Sequence, residues 1–341
     1  MARKTALALC ALLLTAACGT PANQTTAAPG ASAAEAGAFP ATVEHKYGST
    51  TVKAEPRRVL TVGLTEQDAL LALGVVPIAT TEWFGGYPGA IGPWAKDKLG
   101  SAPLPQVLPG GEVPAYEKIA ALHPDLIIAQ YSGLTQEQYD KLSKMAPVIA
   151  QPKAYPDYGV GWQEATKNVG VAVGKPAQAR KLVDDLEAKF AGIRAQHPEF
   201  AGATGLMATM WEGYFVYGSQ DPRSRVLASL GFKPPAGLDD VMGGKFGATL
   251  SAERTDLLNA DALVWIVEGL EPGRAQLTKD PLYGGLRVAK EKRDVLVDSP
   301  TDYGRALSFV SVLSLPFVLD RLVPQLSAAV DGNPATEVKP A

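Results

Sequence analysis

The chain has 341 residues, of which 46% are hydrophobic and 20% charged, and its formal net charge is −3. This length exceeds one ordinary domain and favours two lobes of about 120–150 residues each. The nearly balanced charge, without a basic stripe, argues against a nucleic-acid partner. We therefore expect a globular protein with a substantial core.

The first 17 residues have the pattern of an export signal. Arg3 and Lys4 form a short positive segment, and an apolar run occupies residues 5–17. As a helix this run would rise about 20 Å, which is too short for a hydrocarbon core of about 30 Å. It predicts a signal peptide (1–17) rather than a membrane span.

Residues 14–19 resemble the lipobox of bacterial lipoproteins, in which a cysteine becomes the lipidated N-terminus after cleavage. Cys18 stands at the cysteine position, although Thr15 replaces the usual leucine. Plain secretion with cleavage after Ala17 is the alternative. The only other cysteine is Cys10 within the signal, so the mature chain offers no cysteine nucleophile and no disulfide.

Composition and helical pattern divide the rest of the chain. Small and polar residues predict a lipidated cysteine with a flexible tether at 18–38 and a loose tail at 331–341. Between them we predict an N-terminal lobe at 39–175 and a C-terminal lobe at 198–330. Residues 176–197 carry an apolar stripe at helical spacing and would form a bridging helix of about 33 Å.

Short apolar runs alternate with helical patterns in both lobes, which indicates parallel sheets covered by helices on both faces. The predicted strands lie at 59–64, 75–80, 126–129, 148–150, 206–210, 214–217, 262–267 and 295–297. The predicted helices lie at 70–73, 116–122, 136–145, 225–230 and 307–326. The fold class is therefore α/β, with two Rossmann-like lobes bridged by a single long α-helix.

The two lobes contain a matching segment. Glu117 and Glu253 each precede a leucine by five residues and an aspartate by eight, and each segment leads into an apolar strand. Both glutamates fall in the first turn of a short helix, where the helix dipole favours a carboxylate. Capping would explain either one alone, but a matched pair also suits a partner with two-fold symmetry. We expect both to lie away from the strand ends where a ligand would bind.

The sequence lacks the usual catalytic motifs. It has no G-x-S-x-G elbow, no phosphate-binding loop and no H-E-x-x-H pair, and the glycine-rich stretch 85–89 lacks dinucleotide-binding spacing. His45, His123 and His197 are scattered, whereas a zinc or manganese site would need converging imidazoles and a carboxylate. We expect no cofactor and no protein-held metal. An exported α/β enzyme stays an alternative, but it would need converging acid and base groups.

Aromatic residues recur where predicted strands end, and ligands of open α/β sheets bind beyond the carboxyl ends of the strands. Arginines in the second half could meet oxygen atoms of a ligand. The candidate ligand-binding residues are Trp83, Tyr87, Tyr131, Trp211, Tyr214, Arg223, Trp265, Tyr303 and Arg305.

Three segments, 56–59, 69–77 and 117–128, resemble the iron–siderophore binding lipoproteins of bacterial ABC importers, a group that includes vitamin B12 and haem binders. The resemblance covers about residues 43–326. It implies a class III periplasmic-binding-protein arrangement, with the ligand between the lobes and one surface glutamate per lobe, here Glu117 and Glu253, that meets arginines on the permease.

The resemblance also implies the role of the protein. It implies a monomeric binding protein, not an enzyme, that is anchored through Cys18 to the extracytoplasmic face of the cell membrane. The ligand would be a ferric siderophore, and the siderophore itself would hold the iron. Haem or a corrinoid is the alternative ligand, and Tyr131 or Tyr303 could supply an axial haem ligand. Hydroxamate, catecholate and mixed siderophores stay open, although the few arginines near the presumed cleft favour a neutral or cationic hydroxamate complex.

Overall fold

The computed structural model describes residues 33–83, 85–333 and 335–341, so the predicted signal, Cys18 and most of the tether lie outside the described residues. The strands are β1 (Ala41–His45), β2 (Gly48–Val52), β3 (Val59–Thr61), β4 (Ala79–Thr81), β5 (Gln106–Leu108), β6 (Leu126–Ala129), β7 (Val148–Ala150), β8 (Gly205–Met210), β9 (Tyr214–Tyr217), β10 (Gly247–Thr249), β11 (Ala262–Val267) and β12 (Val295–Asp298). The helices are α1 (Glu66–Ala72), α2 (Lys96–Leu99), α3 (Tyr116–Ala121), α4 (Gln136–Ser143), α5 (Trp162–Ala172), α6 (Pro176–Gln196), α7 (Pro222–Leu230), α8 (Leu270–Lys279), α9 (Pro281–Gly285), α10 (Arg287–Lys290), α11 (Asp302–Ser308) and α12 (Ser314–Val330). No helix in these ranges is long and apolar enough to cross a membrane.

The N-terminal lobe is built on a parallel sheet in the order β5-β4-β3-β6-β7. Every residue of β3, β6 and β7 is buried, which is why these strands read as continuous apolar runs. A separate antiparallel hairpin of β1 and β2 precedes this sheet and was not predicted.

The C-terminal lobe has a mixed sheet in the order β10-β9-β8-β11-β12. Strands β8, β11 and β12 are parallel, but β9 pairs antiparallel with both β8 and β10. The prediction of a parallel sheet is therefore wrong for β9. Only Trp211, Glu212 and Gly213 separate β8 from β9, and so short a connection allows a hairpin but not the crossover that parallel strands require.

Helix α6 forms between the lobes, one residue shorter than predicted. Its buried residues Ala179, Val183, Leu186 and Phe190 follow the i, i+4, i+7 spacing of one helix face. They belong to a hydrophobic core that includes side chains of both sheets, so the helix is packed against both lobes along its length.

Both predicted flexible segments contact the fold. The carboxylate of Glu35 accepts hydrogen bonds from the backbone N–H groups of Ala177 and Gln178, each at 2.9 Å, and so satisfies donors in the first turn of α6. In the tail, Gln325 donates to the carbonyl of Lys339 at 3.0 Å, and Val338 packs against the core. The prediction of a loose tail is thus wrong for this part, because one apolar side chain attaches it.

Candidate ligand-binding cleft

The loops that follow the strands of the two sheets meet between the lobes. After β4, the hydroxyl of Tyr87 donates to Oδ1 of Asp302, in the first turn of α11, at 2.5 Å. At the other side of the sheets, Arg225 of α7 donates to the carbonyl of Gly159, in the loop after β7, at 2.8 Å. In the N-terminal sheet, β3 and β6 lie between β4 and β7. The two contacts therefore lie on either side of a cleft between the lobes, at the carboxyl ends of the parallel strands.

The N-terminal half of the cleft contains a cavity of about 500 Å³. Its walls come from the residues that follow β3, β4, β5 and β6, and they are largely apolar. Lining residues include Val62, Glu82, Trp83, Glu112, Val113 and Tyr158. Val113 is an exposed apolar side chain, with 64% of its surface accessible, so this wall offers apolar contact area to a ligand.

The C-terminal half contains a second cavity, of about 520 Å³, lined by Arg223, Glu268, Ser299, Pro300, Arg305, Ser308 and Phe309. Phe309 also packs edge-on against Trp83 of the opposite lobe, with ring centroids 5.0 Å apart. Trp83 lines the first cavity and Phe309 the second, so this contact between the lobes links one wall of each cavity.

A buried carboxylate supports this aromatic contact from behind. Oδ2 of Asp68 accepts hydrogen bonds from the indole of Trp94, at 2.7 Å, and from the hydroxyl of Ser311 in the C-terminal lobe. The ring of Trp94 lies 5.9 Å from that of Trp83. Burial raises the pKa of Asp68 to about 6, although both hydrogen bonds favour the ionised form. Asp68 therefore connects the lobes directly behind the aromatic wall.

Arg223 is held by an internal ion pair rather than projecting freely. Its Nε and Nη2 donate to Oδ1 and Oδ2 of Asp221 at 2.8 and 2.7 Å, and Asp221 is fully buried as the N-cap of α7. The guanidinium also lies 3.9 Å from the ring centroid of Tyr217. The sequence did not indicate Asp221, whose carboxylate neutralises much of the charge that Arg223 brings to the cavity.

The structure distributes the candidate residues unevenly. Trp83, Arg223 and Arg305 line the cavities, and Tyr87 lies at the cleft border. Trp211 is 61% exposed and lines a separate groove of about 650 Å³ with Phe215, Met242 and Phe246.

Tyr131 is almost completely buried and packs against the ring of Tyr158, which lines the N-terminal cavity, at a centroid distance of 5.4 Å. It therefore stands behind the cavity wall.

Three other candidates point into the lobe interior, so the prediction that they contact the ligand is wrong. Trp265 is fully buried and donates its indole N–H to the hydroxyl of Tyr283 at 3.0 Å. Tyr214 and Tyr303 are also buried, and their hydroxyls donate to Asp280 at 2.6 Å and to Gln325 at 2.8 Å. Nearness to a strand end does not fix which sheet face a ring occupies, because successive side chains point to opposite faces.

Glu117 and Glu253 are both exposed and stand in the first turns of α3 and of a short 3₁₀ helix, Ala252–Leu258. These helices lead into β6 and β11, which hold the same position in the two sheet orders. Glu117 itself lines neither cavity, but Ala115 and Ile119 on either side of it line the N-terminal cavity, so it lies nearer to the cleft than expected. A helix that returns the chain to the start of the next parallel strand must begin at the carboxyl end of the sheet.

Within the ranges that the structure describes, no group of three or more His, Cys, Asp and Glu side chains is placed to hold a metal ion. The cleft instead combines apolar and aromatic surface with a few ionic groups, which suits binding of a preformed ligand.

Comparisons with known proteins agree with this architecture. A crystal structure of a periplasmic solute binding protein from Mycobacterium smegmatis is 34% identical, with a TM-score of 0.73, and the match covers 85% of this chain and 98% of that one. PiaA of Streptococcus pneumoniae, crystallised in complex with ferrichrome, is 26% identical, with a TM-score of 0.74 and coverage of 85% and 98%. The Fe(3+) dicitrate-binding periplasmic protein FecB of Escherichia coli is 29% identical over 274 residues, 77% of this chain and 84% of FecB. The periplasmic binding protein family matches residues 62–301, most of the folded part, and the chain belongs to that family.

Proposed function

We propose that the protein captures a ferric siderophore in the cleft between its lobes, outside the cytoplasmic membrane, and delivers it to an ABC permease. The observation that carries this proposal is the contact of Trp83 with Phe309, which links a wall of the N-terminal cavity, of about 500 Å³, to a wall of the C-terminal cavity, of about 520 Å³. A ligand that fills both cavities touches both lobes. The similarity to a ferrichrome complex and to a ferric dicitrate-binding protein supports iron complexes as the ligand class.

Such a ligand needs little chemistry from the protein. The siderophore encloses the iron, so the cleft supplies ring faces and apolar contact area, with polar groups at its edges to orient the complex. The shared core around α6 and the buried link at Asp68 hold the lobes in a fixed relation. We therefore expect the site to be largely formed before the ligand arrives.

Haem fits the cleft less well. A tyrosine ligand must lose its proton, but burial raises the pKa of both Tyr131 and Tyr303. The hydroxyl of Tyr303 is also engaged by Gln325 inside the C-terminal lobe.

Delivery rests on the two exposed glutamates. Glu117 and Glu253 occupy corresponding positions of the two lobes and would meet basic side chains of two like permease subunits. The protein would work as a monomer, held near the permease by lipid on Cys18 and by the tether predicted after it.

Ligand titrations test the proposal. Addition of iron-loaded ferrichrome, ferric dicitrate or ferric enterobactin should quench tryptophan fluorescence for at least one complex, because Trp83 lines the N-terminal cavity. The expected dissociation constant is in about the micromolar range or tighter. The iron-free siderophores and haemin serve as controls. A Soret band with haemin, combined with no response to any ferric complex, would contradict the proposal.

A further inference from the structure

The ionic side chains of the cleft include an excess of carboxylates. Glu82 and Glu112 line the N-terminal cavity, and Glu268 lines the C-terminal cavity beside Arg223 and Arg305. Across the described part of the chain, none of these three glutamates forms an ion pair. Their carboxylates therefore have no Lys, Arg or His nitrogen within about 4 Å among the described residues.

Of the two arginines that line the C-terminal cavity, one has its charge balanced by a carboxylate and the other is oriented by uncharged groups. Arg223 is paired through two hydrogen bonds with the fully buried Asp221, which makes the pair neutral as a unit. Arg305 donates from Nε to the carbonyl of Pro300 at 3.0 Å, and its guanidinium lies 5.5 Å from the ring centroid of Tyr87. The hydroxyl of that ring is bonded to Asp302, which places a carboxylate close to this arginine as well.

Among the described residues that line the two cavities, an anionic ligand would thus face three carboxylates, against the charge of Arg305 and the Arg223 charge that Asp221 balances. A cationic group would meet those carboxylates and the rings of Trp83 and Tyr158, which line the N-terminal cavity. Clefts with low-dielectric walls concentrate such a field, so ligand charge affects affinity more here than on an open surface.

We propose, resting on the proposed function, that the cleft selects ferric complexes that are neutral or positively charged, of the trishydroxamate class, over trianionic tricatecholate complexes. Three singly charged hydroxamates cancel the charge of ferric iron, and a protonated amine on the siderophore makes the complex cationic. Three doubly charged catecholates leave a trianion, which the carboxylates repel.

A matched set of ligands isolates charge from shape. The set contains a linear ferric trihydroxamate with a free amine, the same complex with that amine acetylated, neutral ferrichrome, and trianionic ferric enterobactin. We expect the amine form to bind at least as tightly as its acetylated form. Ferric enterobactin should bind at least about tenfold more weakly than ferrichrome, which corresponds to a difference in binding free energy of about 1.4 kcal/mol. Added salt should weaken binding of the amine form and strengthen binding of the trianion.

A matched pair of variants assigns the effect to the cleft. The triple change Glu82→Gln, Glu112→Gln and Glu268→Gln should reduce both the preference for the amine form and the discrimination against ferric enterobactin. The control changes three exposed carboxylates that line none of the cavities described above, with Asp97→Asn, Asp184→Asn and Glu271→Gln, and should leave both ratios unchanged.

The outcomes separate this inference from the proposed function. If ferric enterobactin binds as tightly as ferrichrome or more tightly, or if the triple cleft variant changes neither ratio, the charge selection is refuted while siderophore binding stands. If no ferric complex binds, both proposals fail together.

Discussion

The buried carboxylate of Asp68 offers the sharpest quantitative test of the structure. It is 3% exposed and joins Trp94 of one lobe to Ser311 of the other, and its Oδ1 has no hydrogen-bond partner among the described residues. Asp68→Asn keeps an oxygen that can accept from Trp94 and removes the charge. The lobes should stay connected, and the pH dependence of stability should change.

The sign follows from proton linkage. Burial raises the pKa of Asp68 from its ordinary value of 3.8 to about 6, so between these values the folded protein holds a proton that the unfolded chain has lost. The unfolding free energy of the native protein must therefore fall as the pH rises through this interval and level off above about 6. The difference in pKa corresponds to about 3 kcal/mol. An asparagine at this position carries no such dependence, so the Asp68→Asn variant should gain stability relative to the native protein by up to that amount between about pH 4 and about pH 7.5.

Urea denaturation at both pH values, followed by tryptophan fluorescence, measures the change. Other carboxyl groups contribute equally to both proteins, including Glu66, whose pKa burial also raises, and cancel in the comparison. Asp97→Asn, at an exposed position in the first turn of α2, is the matched control and should show no relative shift. A stability difference between native protein and Asp68→Asn that is the same at both pH values would refute a buried, proton-linked Asp68.

Two further changes test the cleft and the anchor. Trp83→Ala should weaken siderophore binding about ten- to a hundredfold, whereas Trp265→Phe should leave affinity unchanged and lower the unfolding free energy by about 1–3 kcal/mol, because only Trp83 lines a cavity. Equal affinity losses in fluorescence titrations of the two variants would show that the cleft is assigned to the wrong rings. Cys18→Ala should move the protein from the membrane fraction to the medium or to an unprocessed precursor, as fractionation and immunoblotting would show; a native protein already found in the medium would contradict lipid anchoring.

The sequence predicted best those elements that one local signal defines. Strands β6, β7, β9 and β11 begin and end where their apolar runs do. The predicted strand 75–80 instead begins at Ala79, because Pro77 cannot donate to a ladder and Val75 packs against the core from a loop. The predicted helix 307–326 is interrupted after Ser308, since Ser311 bonds to the backbone at the start of α12 and so competes with a continuous helix.

The lining of the cleft was harder to predict than its location. The location follows from the sheet topology, but the topology does not determine which side chains face the cleft. Ligands of open α/β sheets bind beyond the carboxyl ends of the strands, and this rule indicated Trp83, which lines the N-terminal cavity. The same rule selected Trp265, whose position on β11 points its ring into the C-terminal core. Valine and phenylalanine are common core residues, so the sequence does not mark Val113 or Phe309 as part of a binding site. Only the approach of the two lobes brings Phe309 against Trp83. Side-chain direction and contact between lobes are thus the information that a linear pattern lacks.

The paired glutamates allow capture and delivery to be tested separately. Glu117 and Glu253 are exposed and without ion pairs in the ranges described, so their loss should cost the fold about 1 kcal/mol or less each, from the helix-dipole contribution. Against a basic partner, removal of each charge can cost about 2–5 kcal/mol. Since residues on either side of Glu117 line the N-terminal cavity, the change should be to glutamine, which keeps the side-chain shape beside the ligand.

The double variant Glu117→Gln with Glu253→Gln should therefore keep siderophore affinity and melting temperature while cells that carry it lose uptake of radioactive iron supplied as the ferric siderophore. Glu164→Gln with Glu271→Gln is the matched control, because these residues occupy first turns of helices in the same two lobes, and uptake should persist. Each single change should reduce uptake less than the pair does, since a partner with two-fold symmetry makes the contact twice and either contact alone retains part of the binding energy. Uptake that survives the double change would remove these residues from the docking surface. A fall in ligand affinity would instead place Glu117 in the binding site. This outcome would be the more informative of the two, because residues on either side of Glu117 line the N-terminal cavity.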